Sequence, residues 1–394
     1  MKDIYNILDK NKSTEEIYVI REGVTEISKA FVDCSKVTSI VIPNSVTSIE
    51  DGAFDYCSGL TSISVDPNNL NFSSLDGVLY DKEKTKIIKV PRGKTDDVVI
   101  PGSVISIAQH SFFRCTELNN IVIPNSVTDI EDSAFNYCFV LTSISVDPNN
   151  LNFSSLDGVL YDKEKTKIIK VPCGKTGDFV IPNSVTSIDR YSFCHCSKLT
   201  SIVIPNSVTN IGVCAFFYCS GLTSIVIPNS VTSIGDRAFA DCSKVTSIDI
   251  PDSVTNIGDC AFEGCTGLTS IIIPNSVTNI GVCAFFYCSG LTSIVIPNSV
   301  TDIEDSVFEG CIGLTSIVIP NSVTNIEYSA FKDCIKLNRI HCQIKNIKNV
   351  KIKTNIFKGC DLSNCILSVP TGADNDYRHH PVFSKFKNIV IEGY

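Results

Sequence analysis

Residues 199–219 read LTSIVIPNSVTNIGVCAFFYC, and residues 222–242 read LTSIVIPNSVTSIGDRAFADC. The frame returns at Pro251, Pro274, Pro297 and Pro320, each 23 residues after the last. A fixed period of roughly 20–50 residues marks a stacked repeat. Within one copy, Leu199, Ile202 and Ile204 are spaced apolar positions. Alternation across Ile202, Val203 and Ile204 is that of a short half-buried strand. Pro205 stops the strand because it has no N–H to give a ladder. Asn206-Ser207 is turn chemistry. Val208 and Ile211 point back inside, and Ala215, Phe216 and Cys219 suggest a short helical turn closing the coil. Such a unit has no core of its own and becomes stable when neighbours stack on it. Each fully buried apolar side chain contributes roughly 1.5–3 kcal/mol, most of it offset by the entropy of ordering the chain.

The same frame organises the composition. Phe-x-x-Cys occurs twelve times, starting at Phe31, Phe54, Phe112, Phe135, Phe193, Phe216, Phe239, Phe262, Phe285, Phe308, Phe331 and Phe357. Twelve of the 19 cysteines therefore occur one per repeat. They read as small buried hydrophobes rather than as a disulfide framework, so they leave the redox compartment open. The 394-residue chain has a formal net charge of −9, which argues against a general nucleic-acid binder. No stretch is long and apolar enough to span a membrane, so no membrane insertion is expected. The charged N-terminus lacks the apolar segment of a signal peptide.

Residues 1–16 form a polar start in which Ile4, Ile7 and Leu8 have helical spacing. An amphipathic cap over the first coil is expected there. Residues 17–360 carry the solenoid. Its period breaks twice, because Pro43 to Pro101 and Pro124 to Pro182 each span 58 residues. The extra segments, at 66–100 and 147–181, both contain DPNNLNFSSLDGVLYDKEKTKIIKVP. Apolar runs at 78–80 and 87–90 flank a polar stretch and predict a β-hairpin insertion in each copy. The lysines, Lys82, Lys84, Lys86 and Lys89 in the first copy, read as keeping a projecting hairpin soluble. Engagement of an anionic partner is the alternative. Residues 361–394 are expected to cap the other end.

Chemistry-bearing constellations are few. Cys194-His195-Cys196 lacks the second ligand pair a structural zinc needs. Cys214, Cys260 and Cys283 share one repeat position, two before Phe, and read as unpaired thiols. Asp66-Pro67-Asn68-Asn69 starts like a calcium loop, but Leu70 and Asn71 follow where a ligand and a glycine belong, so it reads as a turn. No nucleophile–base–orienter set and no phosphate loop is visible. No enzyme, metal or cofactor is expected.

The motif LxxIxIPxSVTxIgxxAFxxC resembles the BspA-like leucine-rich repeat family, also called the Treponema-pallidum-type repeat. The resemblance runs from about Ile17 to Ile391 and includes the C-terminal segment ILSVPTGADNDYRHHPVFSKFKNIVI. It implies a repeat solenoid of the α/β leucine-rich-repeat type, right-handed, with about twelve to fourteen repeats. Short parallel strands would line the concave side and short helical turns the convex side. The concave face would then present the middle x of IxI: Val203, Val226, Asp249, Ile272, Val295, Val318 and His341. These β-branched residues beside Thr-Ser rows read either as a partner-binding stripe or as good strand formers multiplied by duplication. The resemblance implies a monomer that binds a host matrix or cell-surface protein at the cell surface. An intracellular scaffold or effector-type module in the cytoplasm is the alternative.

Overall fold

The computed structural model describes residues 17–28, 31, 34–55, 57–95 and 98–393. The expected cap at residues 1–16 lies outside them. The chain divides into two compact units, residues 1–175 and 176–394. It is a β-solenoid of about 16 turns with very little helix, more turns than the period alone suggests.

In the second unit each coil has three sides. The first is a strand such as Leu199–Val203. Pro205 then begins a turn closed by Val208 N–H donating to the Pro205 carbonyl at 3.1 Å. The second side is a two-residue strand, Asn210–Ile211. The third runs through Cys214, Phe216 and Tyr218. Where neighbouring coils pair, both strand sides do so in parallel at the 23-residue spacing: Val226 with Asp249, Asp249 with Ile272, Ser233 with Asn256, Asn256 with Asn279.

The third side corrects the expected helical turns. Cys214 and Tyr218 hold φ of 53° and 59°, which interrupts any α-helix. The amides instead alternate. Ala215, Phe217 and Cys219 bond back within the coil, whereas Cys214, Phe216 and Tyr218 bond to Asp236, Ala238 and Ala240 of the next. The backbone is thereby satisfied by stacked turns. Among the described residues the one α-helix is Asp374–His379. Its Tyr377, fully buried, donates to the Ile344 carbonyl at 2.8 Å. Beside it, strands Ile366–Pro370 and Asn388–Glu392 extend the first sheet in register from Arg339–Cys342.

Beneath the turns the frame phenylalanines stack. Phe239 lies 5.2 Å from Phe216 and 5.7 Å from Phe262, with planes within 4°. The frame cysteines are more than filler. Cys265 Sγ donates to the Phe239 carbonyl at 3.2 Å, and Cys288 and Cys311 repeat the bond at 3.1 and 3.2 Å. One side-chain donor per coil thus satisfies a buried carbonyl one coil back. Among the described residues no cysteine is joined in a disulfide.

The first unit carries both copies of the duplicated run. Phe72–Leu75, Val78–Asp81 and Lys86–Lys89 form an antiparallel meander. Its tight link is Asp76-Gly77, both at positive φ, the conformation a two-residue hairpin demands. Lys86–Lys89 then pairs in parallel with Ser106–Ile107, and Val78, Leu79 and Tyr80 are buried. The meander is therefore built into the stack and does not project. Its lysines work inside it. Lys89 is buried against Asp55 at 2.7 Å, and Lys86 meets Glu131 at 2.6 Å. In the second copy Lys170 is buried and donates to Asn136 Oδ1 at 2.9 Å. Asn69 and Asn150, fully buried, each tie two carbonyls of the preceding coil through Nδ2, which fixes the DPNN turn.

Candidate binding face

The seven sequence-predicted residues recur every 23 residues at one strand position of the second unit, and pairing joins Val226, Asp249 and Ile272 in one ladder and Val295, Val318 and His341 in another. Each is flanked by two buried residues, isoleucines except for Cys342 beside His341, so the strand alternation that fills the core turns it outward. Val203, Val226, Ile272 and Val295 are 56%, 63%, 77% and 59% exposed. Those are large values for apolar side chains held in regular structure. Asp249 is exposed among them, and Val318 is half-buried. His341 sits differently: Nδ1 lies 3.1 Å from Glu392 Oε2, and Glu392 Oε1 accepts from Ser368 Oγ at 2.9 Å. The final strand thus holds His341 rather than leaving it free to meet a ligand.

Val180 belongs to the same row. It pairs with Val203 and is 68% exposed. The sequence signal was present, since Phe179-Val180-Ile181-Pro182 is the same frame. Asp178, on that strand, is held below the usual carboxylate range by the hydroxyls of Ser201 and Thr200, which donate to it at 2.7 and 2.9 Å.

The hydroxyl rows beside the stripe have a structural duty. Thr269, Thr292 and Thr315 Oγ1 each donate to the threonine carbonyl one coil back, at 3.0–3.2 Å. On the next turn Ser207 and Ser253 Oγ do the same to Val185 and Val231 at 2.6 Å. These rows stitch coils together, so the exposed apolar stripe is left as the part of this face without a structural bond to make.

Burial pushes the Cys265 and Cys311 thiols up to about 12, so the nucleophilic thiolate is disfavoured. Cys194 and Cys196 are buried, and the His195 ring packs 5.4 Å from Phe217 and 5.2 Å from Tyr218. Among the described residues no three His, Cys, Asp or Glu side chains gather to hold a metal ion. No described helix is long and apolar enough to cross a membrane.

Residues 9–94, 92–176, 170–291 and 257–371 match the model of the BspA type leucine rich repeat region, in six copies. A leucine-rich repeat protein of Eubacterium ventriosum has a similar solved structure. It shares 28% identity over 84% of this chain and 86% of its own, with a TM-score of 0.66. A leucine-rich repeat protein of Bacteroides ovatus shares 25% identity over 96% of this chain and 92% of its own, with a TM-score of 0.54. No curated protein matches in sequence.

Proposed function

The chain belongs to the BspA-type leucine-rich repeat family, and from that premise we propose that it is a non-enzymatic protein-binding module working through its exposed strand row. The observation that carries this reading is the run Val180, Val203, Val226, Ile272 and Val295, at the same strand position of their repeats and each more than half exposed. Solvated valine and isoleucine in a line favour contact with a complementary apolar surface. Asp249 divides the row and gives a partner one polar point of registration.

The partner in this reading is a protein of a host surface or extracellular matrix, and the chain acts as a surface adhesin. Family membership supports that choice. Protease shaving of intact cells, with a cytosolic protein as control, tests it. Selective loss of this protein upholds surface display. Protection replaces the adhesin with an intracellular scaffold using the same row. For the row itself the variant is Val226→Asp with Val295→Asp. Folding should survive, because both side chains are already in water. Binding to immobilised matrix proteins should fall about tenfold or more. Unchanged binding would move the interface off this row.

A further inference from the structure

On the turn side of the second unit, one repeat position changes its chemistry from coil to coil. Two residues after the frame phenylalanines stand His195, Tyr218, Asp241, Gly264, Tyr287, Gly310, Asp333 and Gly359. All of them hold positive φ. Glycine adopts this conformation without strain, whereas an L side chain costs roughly 1 kcal/mol or more. Tyr218 and Tyr287 accept that cost and leave their rings 46% and 54% exposed. Between them the surface sinks into a groove of about 410 Å³ lined by Asp241, Glu263, Gly264 and Thr266. A Cβ at Gly264 would fall 2.4 Å from Asp241 Oδ1, so glycine keeps the space around that carboxylate open.

We propose that this groove receives a basic segment of a protein partner, its arginine or lysine side chains set against Asp241 and Glu263 between the two tyrosines. Tyr218 and Tyr287 are three coils apart, or about 14 Å at strand spacing, wide enough for a peptide rather than one side chain. Two carboxylates line the groove, and Arg237 beside it puts Nη1 3.1 Å from Glu263 Oε2, one cation for two acids. Burial, and then the charge of Glu263, push the Asp241 carboxyl above its usual range, with Arg237 pulling the other way. An incoming cation relieves that repulsion. Guanidinium groups also stack well on tyrosine faces.

The surface is distinct from the strand row and does not rest on it. Fluorescence anisotropy with a labelled hexa-arginine peptide, near physiological salt, tests it on the full chain. Asp241→Asn with Glu263→Gln should weaken binding about tenfold or more, as the loss of charge-assisted contacts requires. Asp51→Asn with Asp252→Asn removes the same charge from exposed sites elsewhere and should change binding less than about twofold. Tyr218→Ala with Tyr287→Ala, which leaves every charge in place, should also weaken binding; this arm carries the test if the groove double variant fails to fold. Equal loss in both acid pairs would reduce the effect to net charge and overturn the proposal. So would no peptide binding by the unmodified protein, or indifference to the tyrosines. None of these variants touches the strand row, so failure here leaves that reading standing.

Discussion

The strand side and the turn side of the second unit are made by the same coils, yet they treat sequence in opposite ways. On the strand side Thr-Ser-Ile-x-Ile recurs almost unchanged, because backbone and threonine hydroxyls there bond to the neighbouring coil. The backbone pairs in register, and threonine hydroxyls reach the carbonyl one coil back. On the turn side the side chain two after Phe has no ladder to serve. It passes through imidazole, phenol, carboxylate and hydrogen without disturbing the turn beneath. Constancy on one side therefore reports a stitching duty, and variation on the other reports freedom. The exposed valines are functional candidates by exposure, the groove residues by departure from the repeat.

That contrast requires a fixed layer under the variable one, and the largest expected effect tests it. Phe239 is fully buried in the ring stack. Phe239→Ala should cost about 3–5 kcal/mol in chemical denaturation. Stability within about 1 kcal/mol of the unmodified protein would mean that the turns hold themselves.

The next effect is smaller and sharpens what the layer is made of. Cys265 is read as a donor to the Phe239 carbonyl at 3.2 Å. Cys265→Ala removes that donor and should cost about 1–3 kcal/mol. Cys265→Ser restores a donor of similar shape and should recover part of the loss. If serine is worse than alanine, the thiol is only filling space.

Period, frame and core were legible in the sequence because burial repeats with the same spacing as the chain. Phe-x-x-Cys marked the stack correctly, and IxI marked the strands. The turn side was misread as helical because apolar spacing is blind to φ. An Ala-Phe-Phe-Tyr-Cys run has the composition of a helix, while Cys214 and Tyr218 adopt the opposite sign of φ. The duplicated segment was half read. The apolar runs found two of its strands, but Asp76-Gly77, a hairpin signal in its own right, was passed over, and with it Phe72–Leu75. Its lysines looked solvated because charge is normally outside. Lys89 is inside because Asp55, 34 residues away, meets it there, a pairing that no local pattern announces. The groove was missed because it is assembled from one residue per coil, each unremarkable alone.

The smallest expected effect bears most directly on whether the turn side is free for function. Burial and the neighbouring Glu263 raise the folded pKa of Asp241 above its ordinary value of 3.8. An acid shifted upward favours the folded state below its unfolded pKa and loses that contribution as pH rises through the folded value. At pH 7 Asp241 is therefore a cost to the fold. Asp241→Asn should raise Tm at pH 7, and the gain should shrink to nothing below about pH 3, where both states hold the proton. Asp252→Asn, on an exposed turn, gives the baseline for losing one aspartate charge. A lower Tm at pH 7 would show Asp241 bonding its own coil as the threonines do, and the two sides would then differ in residue but not in duty. A higher one marks a carboxylate kept at the expense of stability, as a residue held for a partner would be.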